Sequence, residues 1–459
     1  MSEQQKQHLG IVIVGHVDAG KSTSTGRLLF ELGGIKEREL EKLKEEAKAL
    51  GKESFFFAFV MDQDKNERER GVTIKCTAKE FFTSQYHYTI IDAPGHRDFV
   101  KNMVTGSSQA DVALLMVPAN KGGFETAIAK GNHKKNEIEG QTRQHARLLN
   151  LIGVDQMIVG INKMDAADYS EERFNEIKTY MLTMLKKIGF KSEKIAVIPL
   201  SGMKGDNFNK LSDKMPWYKG FEVTLGKKDK KEIVKGITLV DALDKVSRVP
   251  KRKPDAELRI PMSESFQIKG KGYIVTGRVE QGTLARDMEV KFVPSGAVGK
   301  VGSIEMHHRD VEKALPGFNV GINIKGLTKD NQPHKGDIIV PKNSKLSQVT
   351  EFTAVVQVQE HPHPIKVGFA PLGLVRTAKS ACKITKINWR LGEKTTAGEK
   401  VMNPLHIETG DTAECVFAPE RPITLEKFDD CKQLARISFM DSNQLKMLGK
   451  VTDVTYKTA

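Results

Sequence analysis

The run Leu9-Gly10-Ile11-Val12-Ile13-Val14, followed by Gly15-His16-Val17-Asp18-Ala19-Gly20-Lys21-Ser22, sets the reading of the whole chain. A short apolar, β-branched run suits a strand buried on both faces. The residues after it fit G-x-x-x-x-G-K-[ST], and 22–32 has the spacing of a helix. Strand, glycine loop and helix in that order make an anion site. The glycines let the backbone curl until several N–H groups point at one phosphate, and the helix adds its positive N-terminal end. Lys21 reaches the β- and γ-phosphates as a point charge, and the Ser22 hydroxyl is a ligand for Mg²⁺. The loop predicts a nucleoside triphosphate and leaves the base and the purpose open.

Outward from the loop, residues 9 to about 246 alternate between strand and helix patterns. Strands are expected at 9–14, 86–91, 112–117, 156–161 and 195–199, and helices at 22–32, 99–106, 141–152 and 170–188. This alternation predicts a doubly wound, mostly parallel sheet whose ligands sit outside the carboxyl ends of the strands. Residues 37–50 read as a charged amphipathic helix with Leu40, Leu43, Ala47 and Leu50 on one stripe. The stretches 121–140 and 226–235 read as surface excursions. Near Val249-Pro250-Lys251-Arg252-Lys253-Pro254 the pattern changes, because those prolines cannot join a helix interior. Beyond it short strands recur, at 257–266, 272–279, 287–292, 300–306 and 320–325. A second joint at 340–347 follows, then strands at 351–358, 381–390, 412–417, 435–439 and 450–455. Evenly spaced short strands indicate closed barrels or sandwiches. The expected architecture is a multi-domain α/β plus all-β chain: a phosphate-loop domain over 1–250, then β-barrel domains over 251–343 and 344–459.

Length and composition fit a multi-domain globular protein: 459 residues, 39% hydrophobic and 28% charged. No apolar run approaches the ~18 residues of a membrane span. Residues 1–8 are polar, unlike the apolar core of a signal peptide. Cys76, Cys382, Cys415 and Cys431 are scattered without a C-x-x-C, which suits free, buried thiols in a reducing, cytoplasmic setting. A net charge of +14 raises the prior for a polyanionic partner without choosing among RNA, DNA and an acidic membrane. His361-Pro362-His363-Pro364 reads as a stiff turn, with no third ligand for a metal nearby.

Further short motifs fall at the carboxyl ends of expected strands. Asp92-Ala93-Pro94-Gly95-His96 follows the strand ending at Ile91; an Asp there holds Mg²⁺ through water, and the Gly95 N–H senses a γ-phosphate. Asn162-Lys163-Met164-Asp165 follows the strand ending at Ile161. A carboxylate at Asp165 suits guanine, because it accepts two hydrogen bonds from N1–H and the 2-amino group; adenine offers no such pair. Asn162 and Lys163 brace the loop and pack on the base. Ser201-Gly202-Met203 offers a backbone N–H to the guanine oxygen. Each motif alone is weak, but their order and placement together indicate a GTP-binding switch.

Four stretches resemble translational GTPases of the elongation factor 1-alpha type: Gly15 through Ser22 with Thr23, Glu69-Arg70-Gly71-Val72-Thr73-Ile74, Asp92 through His96 with Arg97-Asp98-Phe99, and Asn162 through Asp165. The resemblance runs on through Met215-Pro216-Trp217-Tyr218-Lys219-Gly220, Tyr273 through Gly282, Glu305-Met306-His307-His308, Phe369-Ala370-Pro371 and Ala381-Cys382-Lys383. It is closer still to the elongation factor-like branch, which replaces elongation factor 1-alpha in scattered single-celled eukaryotes. Leu32-Gly33-Gly34-Ile35 with Glu39-Leu40, Cys76-Thr77-Ala78-Lys79-Glu80-Phe81-Phe82, Tyr86-His87-Tyr88 and the lengthened Lys130-Gly131-Asn132-His133-Lys134-Lys135 segment carry that likeness.

The resemblance implies a GTPase that carries aminoacyl-tRNA to the ribosomal A site, hydrolyses GTP on codon recognition and is reloaded by an exchange factor. Such a protein is a monomer outside its complexes, with no membrane partner. By position, Thr73 is implied as a Mg²⁺ ligand in the GTP state. His96 is implied as the catalytic histidine acting on the attacking water, with Val17 and Val72 as an apolar gate in front of it. Asp18 lies beside the γ-phosphate. Glu305, His307 and Asn319 match the pocket for the aminoacyl end, while Phe318 replaces an acidic residue common in the family. Arg376 and Thr377 lie where the family touches the tRNA stem. The chain ends soon after its last strand, without the Lys-rich tail of many elongation factors 1-alpha. Two other readings share the motifs: a ribosome rescue or termination relative, usually bearing a long N-terminal extension, and a GTPase of sulfate activation or a cytoskeletal scaffold.

Overall fold

The computed structural model describes residues 6–61, 77–92, 103, 107, 110–132, 137–227 and 230–458, apart from 269, 271, 307–308, 329, 360, 362, 394 and 442–443. Its contacts divide the chain into two compact units, residues 1–250 and 251–459.

In the first unit the strands run β1 (Gln7–Gly15), β2 (Thr77–Phe82), β3 (Tyr86–Asp92), β4 (Val112–Pro118), β5 (Lys130–Asn132), β6 (Glu137–Glu139), β7 (Gln156–Asn162) and β8 (Ala196–Pro199). The main sheet has the order β2-β3-β1-β4-β7-β8. All its pairs are parallel except β2 with β3. The centre of the sheet is dry: Leu9, Ile11, Val12, Ile13 and Val14 of β1 are fully buried, as are Leu115, Met116 and Val117 of β4. Chain order reverses between the neighbours β1 and β4, and the phosphate loop leaves β1 at that switch point.

The helices are stopped by local chemistry. Ser170 caps Glu171–Ile188 by accepting from the Arg173 N–H, acids occupy its first turn, Lys186 and Lys187 its last, and Gly189 ends it in the left-handed region. Leu239–Val246, which the periodicity missed, opens with a reciprocal capping box between Thr238 and Asp241. Lys21–Glu31, Glu37–Ala49 and Gln141–Ile152 fall where expected. The expected 99–106 helix lies outside the described residues but for Met103.

Three segments depart from expectation. Residues 121–140 hold a short helix, Gly123–Ile128, and the β5–β6 hairpin, and 226–235 belongs to a second hairpin, Phe221–Lys227 with Lys230–Gly236. Lysine-rich hairpins of this kind lack the apolar run that marks a buried strand. β2 escaped for the same reason: it is an edge strand that buries Phe81 and leaves Lys79 and Glu80 half-exposed.

The second unit is two closed rings of antiparallel strands. Around the first the order is Glu289–Val293, Ile338–Pro341, Ile260–Ile268, Gly272–Arg278, Asn319–Lys325 and Val298–Met306, which pairs back with Glu289–Val293. Ile260, Met262, Val275, Phe292, Ile304 and Ile322 fill it. Ile338–Pro341 is a wall strand, so the expected joint at 340–347 begins inside the barrel. Ile260–Ile268 meets Ile338–Pro341 only through Ile260 and Pro261. Beyond that point it continues as a hairpin arm with Gly272–Arg278, exposing Phe266 and Ile268.

The second ring runs Leu372–Val375, Arg436–Asp441, Gln444–Tyr456, Val349–Val358, Thr412–Pro419 and Ala378–Leu391, and closes on itself. Phe417 stacks between Phe352 and Phe439 at its centre, with ring centroids 5.2 and 4.5 Å away. Cys382, Cys415 and Cys431 are free and buried, and burial pushes each thiol up to about 12.

A shared apolar seam joins the rings, with Val293, Ile338 and Val340 against Leu346, Cys431 and Leu434. Two ion pairs cross it in opposite senses. Arg259 of the first ring grips both carboxylate oxygens of Glu426 at 2.9 and 2.8 Å, with the two side chains 7% and 8% exposed. Arg376 of the second reaches Glu280 of the first at 3.3 Å. No helix among the described residues is long and apolar enough to cross a membrane.

Candidate nucleotide site

The loop is built to let backbone, not side chains, face a ligand. Gly20 sits at φ 81°, where a side chain is strained, and a Cβ there would come within 2.3 Å of Asn162 Nδ2. The Ala19 N–H donates to His16 O at 3.2 Å, closing a tight turn. Lys21 opens the Lys21–Glu31 helix, is buried, and donates from Nζ to the His16 carbonyl at 2.9 Å. A buried ammonium at a helix N-terminus makes the cradle electropositive, and the neighbouring imidazoles register it. Burial, reinforced by the Lys21 charge, lowers the His16 ring and drives His145 down to about 3. Such a cradle fits a phosphate chain.

Beneath the loop lies the helix Gln141–Ile152. Gln141 Oε1 accepts from the Val17 N–H at 3.2 Å, and His145 Nδ1 accepts from the Gly15 N–H at 3.3 Å. One helix face, at an i, i+4 spacing, thus anchors two amides of the loop. Val17 is half-buried and Asp18 exposed at φ 60°.

Asn162 ends β7 and ties three segments together. Its Nδ2 donates to the Ala19 carbonyl, and its Oδ1 accepts from the Gly202 N–H, both at 2.9 Å. The expected brace is therefore present, and it joins the phosphate loop to Ser201-Gly202-Met203. Lys163, at φ 63°, and the 3₁₀ turn Met164–Ala167 then bring Asp165 to the carboxyl edge of the sheet, half-buried. Ser22 and Thr23 stand in the first turn of the helix. Asp92 ends β3, in register with Ile13 of β1. Val72, Thr73, Gly95 and His96 lie outside the described residues. The donor set expected for a cation is hydroxyl and carboxylate oxygen, which is the chemistry Mg²⁺ takes when it shares phosphates and water. Among the described residues no cluster of three or more His, Cys, Asp or Glu could hold a metal unaided.

In the first barrel, Glu305 pairs across with Gly321, two residues from Asn319, so both lie on one side of the wall. Glu305 is exposed and Asn319 half-buried; His307 lies outside the described residues. Phe318 packs against the barrel core. Arg376 and Thr377 form the turn between Leu372–Val375 and Ala378–Leu391. Arg376 adopts φ 52° and turns its guanidinium into the seam, toward Glu280 and the Gln433 carbonyl.

Comparison with known proteins resolves the family. The model for the elongation factor Tu GTP-binding domain matches residues 6–248, that for elongation factor Tu domain 2 matches 272–340, and the GTP-eEF1A C-terminal domain-like model matches 351–452. Elongation factor 1-alpha of Desulfurococcus mucosus is 43% identical over 457 residues, 99% of this chain and 98% of that protein. The chain belongs to the elongation factor 1-alpha family of translational GTPases. Elongation factor 1-alpha of Entamoeba histolytica is 42% identical over 460 residues, with the same shares of the two chains. The GTPase-like domain of Ski7 from S. cerevisiae, solved with GTP bound, superposes with a TM-score of 0.75 over 97% of each chain at 17% identity, a likeness of fold.

For this elongation factor 1-alpha relative, reading the sequence motif by motif missed the supports of the site. Gln141 and His145 share one face of a correctly expected helix, and their i, i+4 spacing was the available signal. His145 also makes the site acid-sensitive. Its ring is neutral in the folded protein down to about pH 3 and titrates near 6.5 when unfolded. The unfolded chain therefore binds the extra proton first, and stability falls as pH drops below about 6.5, at about 1.4 kcal/mol per unit. Between pH 7 and pH 5, urea unfolding of the wild type should lose about 2 kcal/mol more than that of His145→Gln. Equal losses would mean that the His145 ring takes up its proton without cost.

Proposed function

We propose that this chain delivers aminoacyl-tRNA to the ribosomal A site and hydrolyses GTP when the codon is recognised. The observation that carries this reading is a match to elongation factors 1-alpha over 99% of the chain at 43% and 42% identity. Within that family we place it in the elongation factor-like branch, on the segments quoted from Leu32 to Tyr88 and at 130–135. Residues 1–250, 251–343 and 344–459 are then its three working domains. It works in the cytoplasm, as a monomer between complexes, and is reloaded by an exchange factor.

Each part has a physical task. The loop from Gly15 to Thr23 and the Lys21 ammonium hold the phosphates. Asp165 takes two hydrogen bonds from guanine, Lys163 packs on the base, and a backbone N–H of Ser201-Gly202-Met203 meets its oxygen. Ser22, Thr73 and Asp92 hold Mg²⁺, which neutralises charge on the phosphate oxygens when bound. Gly95 senses the γ-phosphate. His96 orients the attacking water once the ribosome moves it past Val17 and Val72. Until then hydrolysis is slow, because nothing positions the water. Glu305, His307 and Asn319 hold the terminal adenosine and the ester, and must tolerate every amino acid. In the second barrel Arg376 and Thr377 meet the tRNA stem, and the Arg376 pair with Glu280 holds that turn.

The test is protection of the ester. With GTP bound, the protein should slow spontaneous hydrolysis of aminoacyl-tRNA at least tenfold (an affinity gap of about 1.4 kcal/mol between states suffices), and with GDP it should not. Equal protection in both states, or none, removes the delivery role.

A further inference from the structure

We propose that Tyr169 is a positioning residue for guanine recognition, clamping the turn that carries Asp165 to the loop that carries Ser201, Gly202 and Met203. The proposal rests on the assignment of those residues to the base given above.

The turn is bracketed by unusual backbone. Lys163 precedes the Met164–Ala167 turn at φ 63°, and Asp168 and Tyr169 follow it at φ 52° and 54°. Two successive non-glycine residues in the left-handed region are strained, and they persist only where the surroundings over-determine them. Tyr169 supplies that constraint with every polar group it has. Its N–H donates to the Met164 carbonyl at 2.9 Å and closes the turn. Its own carbonyl accepts from Trp217 Nε1 at 2.9 Å. Its hydroxyl donates to Asp206 Oδ2 and accepts from Lys214 Nζ, both at 3.1 Å.

Asp206 is the link to the second loop. Its other carboxylate oxygen accepts from Ser212 Oγ at 2.7 Å. Its backbone bridges Ser201, whose carbonyl in turn accepts from the Gly205 N–H at 2.7 Å. The two base-reading segments are therefore fastened at three points, one of them the Met164 N–H, which donates to the Leu200 carbonyl at 3.1 Å beside the sheet. Asn162 joins them where they leave the sheet, and the Tyr169–Asp206 bond joins them at the far end. Freed from that bond, the Asp165 turn keeps its strand anchor and loses the one that sets its tilt. Tilt matters most to a carboxylate making two parallel hydrogen bonds to one base edge.

Inosine diphosphate lacks the 2-amino group, so it offers Asp165 one bond where guanosine diphosphate offers two. Dissociation constants for both, and for adenosine diphosphate, are measured on the full chain as wild type, Tyr169→Phe and Trp217→Phe, with thermal midpoints of the nucleotide-free proteins. Tyr169→Phe should weaken guanosine diphosphate about five- to tenfold, the size of one hydrogen bond. It should weaken inosine diphosphate less, so that the preference falls about threefold at an unchanged midpoint, and Trp217→Phe should shift the preference the same way. Equal weakening of both nucleotides, or a preference that stays put, overturns the role of Tyr169. A wild type that does not prefer guanosine over adenosine diphosphate overturns the base assignment itself.

Discussion

Arg259→Ala is expected to destabilise the two-barrel unit by about 3–5 kcal/mol, the cost of leaving a buried carboxylate without its partner. Glu426 is 8% exposed and takes both of its close contacts from that one guanidinium. Removing Arg259 strands the charge in the seam; Glu257, which Arg259 also meets at 3.0 Å, is half out in water and loses little. The pair as a whole is a different matter. Arg259→Met combined with Glu426→Leu should return to within about 1 kcal/mol of wild type, because neither charge is then buried and the seam is already apolar. Urea midpoints of the three proteins decide it. A single variant as stable as wild type would mean that water reaches Glu426 and that the apolar seam alone holds the rings together.

Asp165→Asn should exchange one nucleotide specificity for another. A carboxylate accepts from both N1–H and the 2-amino group of guanine; an amide presents an N–H₂ where the second acceptor stood. Xanthine carries a carbonyl in place of that amino group and pairs with the amide. Two hydrogen bonds to a charged acceptor are worth about 3–6 kcal/mol, so guanosine diphosphate should weaken by about 10²- to 10⁴-fold while xanthosine diphosphate gains. Competition binding of the two nucleotides reads this directly. An unchanged preference would take Asp165 out of the base site.

The fold was legible where burial is complete. β4 is apolar from end to end, and β1 and β7 carry apolar runs at 9–14 and 157–161 that announce them. The helix Gln141–Ile152 and the capped Glu171–Ile188 were visible from periodicity and end signals. The barrel strands that bury one face were legible where apolar and polar residues alternate, as in 320–325 and 351–358, whereas β2 and the two lysine-bearing hairpins mix charge with apolar residues as loops do. The joint expected at 340–347 took in Val340 and Pro341, the end of the strand Ile338–Pro341, because a short strand ending in proline looks like punctuation and only ring closure makes it a wall. In the site, the residues expected to meet a ligand cluster in short motifs, and Asn162 among them ties the phosphate loop to the Gly202 N–H. Residues that hold those motifs are distant in sequence. Gln141 is 124 residues from the amide it binds, and Asp206 is 37 from Tyr169. Arg376 shows a side that position alone did not reveal, since its guanidinium reaches Glu280 and the Gln433 carbonyl.

The arm formed by Ile260–Ile268 and Gly272–Arg278 has a further consequence. Every ring strand pairs on both sides over at least part of its length, and a paired edge offers a second chain nothing to add to. From Glu264 to Ile268 the outer edge has no strand beside it among the described residues, while Phe266 and Ile268 are 47% and 45% exposed. A bare, partly apolar edge is a template for aggregation. The sequence there reads Glu264-Ser265-Phe266-Gln267-Ile268-Lys269-Gly270-Lys271: the apolar residues alternate with polar ones, an acid precedes them and two lysines follow. Charges flanking an apolar edge in this order disfavour its pairing with a second copy of itself.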